Sequence, residues 1–160
     1  MSHRLKVVPI LIVMLFTLKM FAQTPKAYGP SVGVEAAKKI AAVALAEAQK
    51  NHWYMAVAIV DTSGTLIYYE KMDNTQTGSA KVSIDKARTA ALYKRPSKAF
   101  QDMVAGGGPG LRILGLPDAV PIEGGVPLIL DDKVVGAIGV SGGAADQDGM
   151  CAQAAADSLK

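Results

Sequence analysis

The chain has 160 residues, half of them apolar, with 17 Lys+Arg against 14 Asp+Glu. Arg4, Lys6 and Lys19 fall in the first 22 residues, so the rest balances 14 basic against 14 acidic residues, and nothing in that balance argues for nucleic-acid binding. The single cysteine, Cys151, excludes an internal disulfide; His52, the one histidine beyond the leader, excludes a multi-histidine metal site within one chain and would have to serve any Ser-His-Asp or Cys-His pair.

Residues 1–22 read as a secretory signal. Arg4 and Lys6 precede the apolar run Val7–Leu18, and Ala22 is followed by the polar Gln23 and Thr24. The run is short for a bilayer span. Lys19 and Met20 depart from the usual cleavage-site pattern, and the alternative they leave open is an uncleaved N-terminal anchor. Export to the periplasm or the medium is expected, with no stable membrane insertion once the leader is removed. Residues 23–160 then make one domain, long enough for a real core.

Ser31 can cap a helix running from Val34 to Lys50, whose Ala36, Ala37, Ile40, Val43, Ala44 and Ala48 recur at helical spacing. Met55–Val60 reads as a buried strand, Asp61–Gly64 as its turn and Thr65–Lys71 as the returning strand. A second helix begins at Thr77–Ser79 and runs to Lys94, where Arg95–Pro96 breaks it. Ser97 can cap a short third helix to Met103 or Val104. Ala105–Pro121 is glycine-rich and irregular, a connector of a length that is usually functional or mobile.

The last third organises the chain. Val126–Leu130 and Val134–Val140 are apolar β-prone runs joined by Asp131–Asp132–Lys133, and an Ala-rich helix holding Cys151 begins near Asp146. Antiparallel pairing brings Gly124 and Gly125 beside Ser141 and Gly142, with the N-terminus of that helix aimed at the same place. Two hairpins separated by helices exclude an all-parallel doubly wound sheet. They predict an α/β (α+β) fold with a largely antiparallel sheet of about five strands and helices packed on it.

Three runs, VAIVDTSGTLIYYEKMD, GSAKVSIDKARTAALYKRPS and VPIEGGVPLILDDKVVGAIGVSGGAADQDGMCAQAA, together resemble the GlcG/HbpS-like family of haem-degrading domain proteins, which is also similar to the C-terminal domain of PduO-type proteins. The resemblance covers nearly all of residues 23–160. It implies a profilin-like fold, homo-oligomers that are octamers in some members, and haem as a ligand in some.

Haem needs an axial donor, an apolar slot and cations for its propionates. His52 is the donor, and metal ligand, to test, against the reading of a surface histidine favoured by a helix C-terminus. Lys86, Arg88 and Arg112 are the cations nearest the matched runs, with an Arg88–Asp85 ion pair as the alternative for Arg88. The cluster of Gly124, Gly125, Ser141, Gly142 and Asp148, with Glu123, Asp146 and Gln147 nearby, suits a small ligand, against a helix cap at Asp146 and glycines that allow close packing. There is no HExxH pattern, and Gly106–Gly110 lacks the Lys-Ser/Thr of a phosphate loop. The expectation is an exported, non-catalytic haem-binding or haem-sequestering homo-oligomer. The alternatives are a haem-degrading or redox enzyme and a small-carboxylate sensor or scaffold.

Overall fold

The computed structural model describes residues 26–159; the expected leader lies outside them. Four strands form one antiparallel sheet: β1 (Ala56–Val60), β2 (Leu66–Lys71), β3 (Gly125–Leu130) and β4 (Lys133–Ser141). The order across the sheet is β2-β1-β4-β3, so the two sequence-local hairpins join through a long-range pairing of β1 with β4. The helices are α1 (Val34–Lys50), α2 (Ser79–Tyr93), α3 (Ser97–Ala105) and α4 (Ala145–Asp157), with a 3₁₀ helix at Gly108–Gly115.

Strand alternation divides the core in two. Val57 and Ile59 of β1, with Ile138 and Val140 of β4, face α1 and α4, where they meet Ile40, Ala44, Ala48, Cys151 and Ala152. Each large aliphatic buried there contributes about 1.5–3 kcal/mol. The opposite face is lined by small residues, Ala58 and Ala137 against Ala87, Ala90 and Ala91 of α2. Gly139 completes it: a Cβ there would lie 2.0 Å from the Ser83 carbonyl oxygen, so the missing side chain is what lets α2 lie directly on β4.

Several expectations are corrected. The sheet has four strands among the described residues, not about five. The stretch where a fifth would come, 106–124, is occupied by the 3₁₀ helix and turns, and Pro109, Pro117 and Pro121 there offer no amide to a ladder. That stretch is also not simply irregular: a Cβ on Gly110 would lie 1.9 Å from the Met103 carbonyl oxygen, so the 3₁₀ helix is seated against α3. Ser31 does not cap α1; Gly33 holds the N-cap position, and the Ser31 hydroxyl lies 3.1 Å from that of Thr62. Ser97 does not cap α3 either, because its hydroxyl is taken by the β3 entry.

Candidate functional site

At the sheet end formed by the start of β3 and the close of β4, the amide of Val140 donates to the Gly124 carbonyl oxygen at 2.9 Å and Gly125 pairs with Gly139. The two glycine clusters therefore meet. Gly124 holds φ +125, and a Cβ on it would lie 2.6 Å from the Val140 oxygen and 2.9 Å from Lys86 Nζ. Only glycine fits there. The Gly125 amide donates to Ser97 Oγ at 2.8 Å, while that hydroxyl donates to the Ile122 oxygen at 2.7 Å. One serine thus fastens the hairpin entry to the first turn of α3.

Beneath Gly124 lies an ion pair closed to solvent. Lys86, 1% exposed, donates from Nζ to Asp148 Oδ2 at 2.6 Å and to the Val140 oxygen at 3.2 Å. Asp148 Oδ1 accepts the Gly143 amide at 3.0 Å. Burial raises the Asp148 carboxyl above its ordinary range, outweighing the downward pull of the Lys86 ammonium and of the Gly143 and Gly142 amides. Asp146 is exposed and is not the cap of α4. The backbone at the start of that helix is satisfied instead by Asp148 and by Gln147 Oε1, which accepts the Ala144 amide at 3.0 Å.

Ser141 donates to Ser79 Oγ at 3.3 Å, closing the gap between the end of β4 and the start of α2. Gly142 lies against the backbone of Tyr54, whose oxygen would be 2.1 Å from an added Cβ. Above the ion pair is a cavity of about 370 Å³ walled by Gly124, Gly125, Glu123, Lys98, Met150 and Gln153. Lys98 reaches Asp102 at 2.9 Å and Glu123 at 3.7 Å. It was not singled out from the sequence, where it reads as the first half of a helical i,i+4 pair with Asp102.

The structure thus gathers Lys86, Gly124, Gly125, Ser141, Gly142 and Asp148, although only the two glycines of that set line the cavity. The Lys86 and Asp148 side chains are spent on each other. Arg88 points to the other end of the sheet, donating from Nε to the Gly64 oxygen at 3.1 Å, with Asp85 at 3.9 Å. Arg112 is exposed on the 3₁₀ helix. Among the described residues no three His, Cys, Asp or Glu side chains cluster as a metal site.

His52 follows α1 at the sheet end where β1 begins. Its amide donates to the Gln49 oxygen at 3.1 Å and that of Trp53 to the Ala48 oxygen at 2.9 Å, the paired bonds of a Schellman turn, with His52 at φ +59 where glycine is usual. The side chain is exposed. His52 leads into β1 and the cavity lies at the entry to β3, two strand positions away, so both lie at the same end of the sheet.

A family model described as haem degrading protein HbpS-like matches residues 32–157. The chain belongs to the HbpS-like family. Within it, protein GlcG of Escherichia coli strain K12 is 39% identical over 105 residues, which are 66% of this chain and 77% of GlcG. Among solved structures, a double mutant of HbpS from Streptomyces reticuli superimposes with a TM-score of 0.74 at 28% identity, over 84% of this chain and 90% of that one. A PduOC–heme complex does so with a TM-score of 0.71 at 28% identity, over 79% and 94%. HbpS-like membership agrees with the α+β architecture and with the three sequence runs that carry the resemblance.

Proposed function

We propose that this chain is a haem-binding or haem-sequestering protein, exported by its N-terminal signal, that works as a homo-oligomer on a profilin-like framework without catalysing a reaction itself. The observation that carries the reading is the likeness, in sequence and in fold, to a PduO C-terminal domain crystallised with haem. The residues of this chain are compatible with it. His52 offers an exposed imidazole to which no hydrogen bond is made among the described residues, held in a backbone conformation that glycine would adopt at lower cost. Met150, 51% exposed at the cavity wall, offers a thioether, and Lys98 a cation. Bound haem would supply one-electron redox chemistry.

The homo-oligomer has support of a different kind. Met103 on α3 and Leu111 and Leu114 on the adjoining 3₁₀ helix are 42%, 50% and 63% exposed, an apolar surface of the sort that marks a protein interface. No helix among the described residues is long and apolar enough to cross a membrane.

The test is a hemin titration of residues 23–160 followed by absorbance, with the assembly sized in the same samples. A saturating Soret change at one haem per subunit, or per subunit pair, supports the reading. Uptake that never saturates contradicts it. Added reductant leaves the Soret band in place if the protein only sequesters haem; loss of the band with iron release would move the assignment to haem degradation.

A further inference from the structure

Among the described residues six non-glycine residues hold positive φ: His52, Asn74, Lys94, Asp118, Asp131 and Asp132. Four are Asn or Asp, for which the left-handed region is ordinary. The other two, His52 and Lys94, each stand just past a helix, where glycine is the usual occupant. Lys94, at φ +54 and ψ +35, closes α2. Its ammonium lies 4.0 Å from the centroid of the Tyr28 ring, and the Tyr28 hydroxyl donates to the Ala91 and Leu92 oxygens at 2.9 and 3.2 Å. A strained backbone and an aromatic platform together fix this cation at one place on the surface.

That place is the rim of a groove of about 830 Å³ running along the free edge of β3, within the range of small-molecule sites. Tyr93, Pro127 and Ile129 give it apolar walls, and Lys26, Lys94 and Arg95 stand at its margin. Lys26 is already paired with Asp132, the one carboxylate of the lining. Lys94 and Arg95 have no carboxylate partner among the described residues; Arg95 Nε donates to the Tyr93 oxygen at 3.3 Å and its guanidinium lies 5.6 Å from the Phe100 ring centroid, which leaves its two terminal nitrogens for a ligand. Both stand at the first turn of α3, whose Pro96 and Ala99 also face the groove, so the positive end of that helix adds to their field. A β-strand is a poor occupant of this edge, because Pro127 withholds an amide from its middle.

We propose that this groove takes a ligand with an apolar body and one or more carboxylates, the carboxylates held by Lys94 and Arg95 and the body lying over Pro127 and Ile129. Arg95 can grip a carboxylate with two parallel N–H bonds, and Lys94 adds a point charge beside it. The groove is a site separate from His52: α2 begins beside Ser141 at the His52 end of the sheet, while Lys94 at its far end lies over Tyr28, which bridges Val134 at the start of β4. The inference goes beyond the haem reading and rests on it only where the apolar body is a tetrapyrrole with two propionates.

The experiment uses residues 23–160 and four probes: hemin, metal-free protoporphyrin IX, its dimethyl ester, and dodecanoate. The variant is Lys94→Gly with Arg95→Gln, in which glycine keeps the left-handed turn, and unchanged melting certifies the fold. The expected result is saturable binding of the porphyrin diacid that weakens about tenfold or more in the variant and for the ester, with dodecanoate competing. Equal binding of diacid and ester, or a variant that binds both the diacid and dodecanoate like the wild type, overturns the groove. If hemin uptake persists in that case, the haem reading survives alone. If hemin is not taken up while dodecanoate binding stays sensitive to the variant, the haem reading falls and the groove stands.

Discussion

Lys86 Nζ and Asp148 Oδ2 meet at 2.6 Å with both side chains almost fully buried, directly beneath a glycine whose absent side chain makes room for them. The pair joins the middle of α2 to the first turn of α4 across the end of β4, and so ties the two faces of the sheet together. Removing either partner leaves a buried charge without compensation. Lys86→Met or Asp148→Asn is expected to cost about 3–5 kcal/mol, and Lys86→Met with Asp148→Leu to recover most of it. Urea unfolding of the three variants measures this; single variants that melt like the wild type would contradict it.

The Asp61 side chain makes stability depend on pH. Burial alone would raise its carboxyl, but the Ser63 hydroxyl and the Thr65, Ser63 and Gly64 amides together hold it below the ordinary range. Its contribution is present above about pH 3.9 and is lost as pH falls through the depressed value. Asp61→Ala is expected to cost about 1 kcal/mol at pH 7 and less at pH 2. Denaturant curves at the two pH values check the difference.

Close backbone approach predicts which glycines are irreplaceable. Gly139→Ala would drive a methyl into the Ser83 oxygen and the Ala87 amide nitrogen, at 2.0 and 2.5 Å, and is expected to cost about 3 kcal/mol or more. Gly115→Ala meets nothing within 4 Å and is expected to change stability by less than about 1 kcal/mol. Equal melting of the two variants would contradict the packing of α2 on β4.

Cys151 is buried in α4, and burial pushes its thiol up to about 12. It is expected to ignore Ellman's reagent at pH 8 in the folded protein and to titrate as one thiol per chain in denaturant. Rapid native reaction would place it at an accessible surface.

Much of this was legible in residues close in sequence. The apolar spacing of Ala37, Ile40, Ala44 and Ala48 placed α1 at its observed bounds, and the turns Asp61–Gly64 and Asp131–Lys133 announced both hairpins. The pairing of β1 with β4 was not legible, because it joins segments some 80 residues apart and depends on the small face of Ala58, Ala137 and Gly139 accepting α2. Caps misled for the same reason: Ser97 looks like a local N-cap, yet a tertiary partner, the Gly125 amide, takes its hydroxyl. Lys86 and Asp148 were both candidate ligand contacts, but nothing local reveals that residues 62 apart will satisfy each other. Lys94 and Arg95 marked only the end of α2. Their shared groove needs the β3 edge, which is remote in sequence.

Haem binding is the proposal to test first, with His52 as its candidate iron donor, and the variant to make is His52→Gly. Glycine suits the φ +59 turn, so the account predicts a variant that is stabler by about 0.5–1 kcal/mol and that loses or shifts the Soret band the wild type develops with hemin. A variant of raised or equal stability whose hemin spectrum and affinity match the wild type would contradict His52 as the donor, and a wild type that shows no saturable Soret change would contradict the haem reading itself.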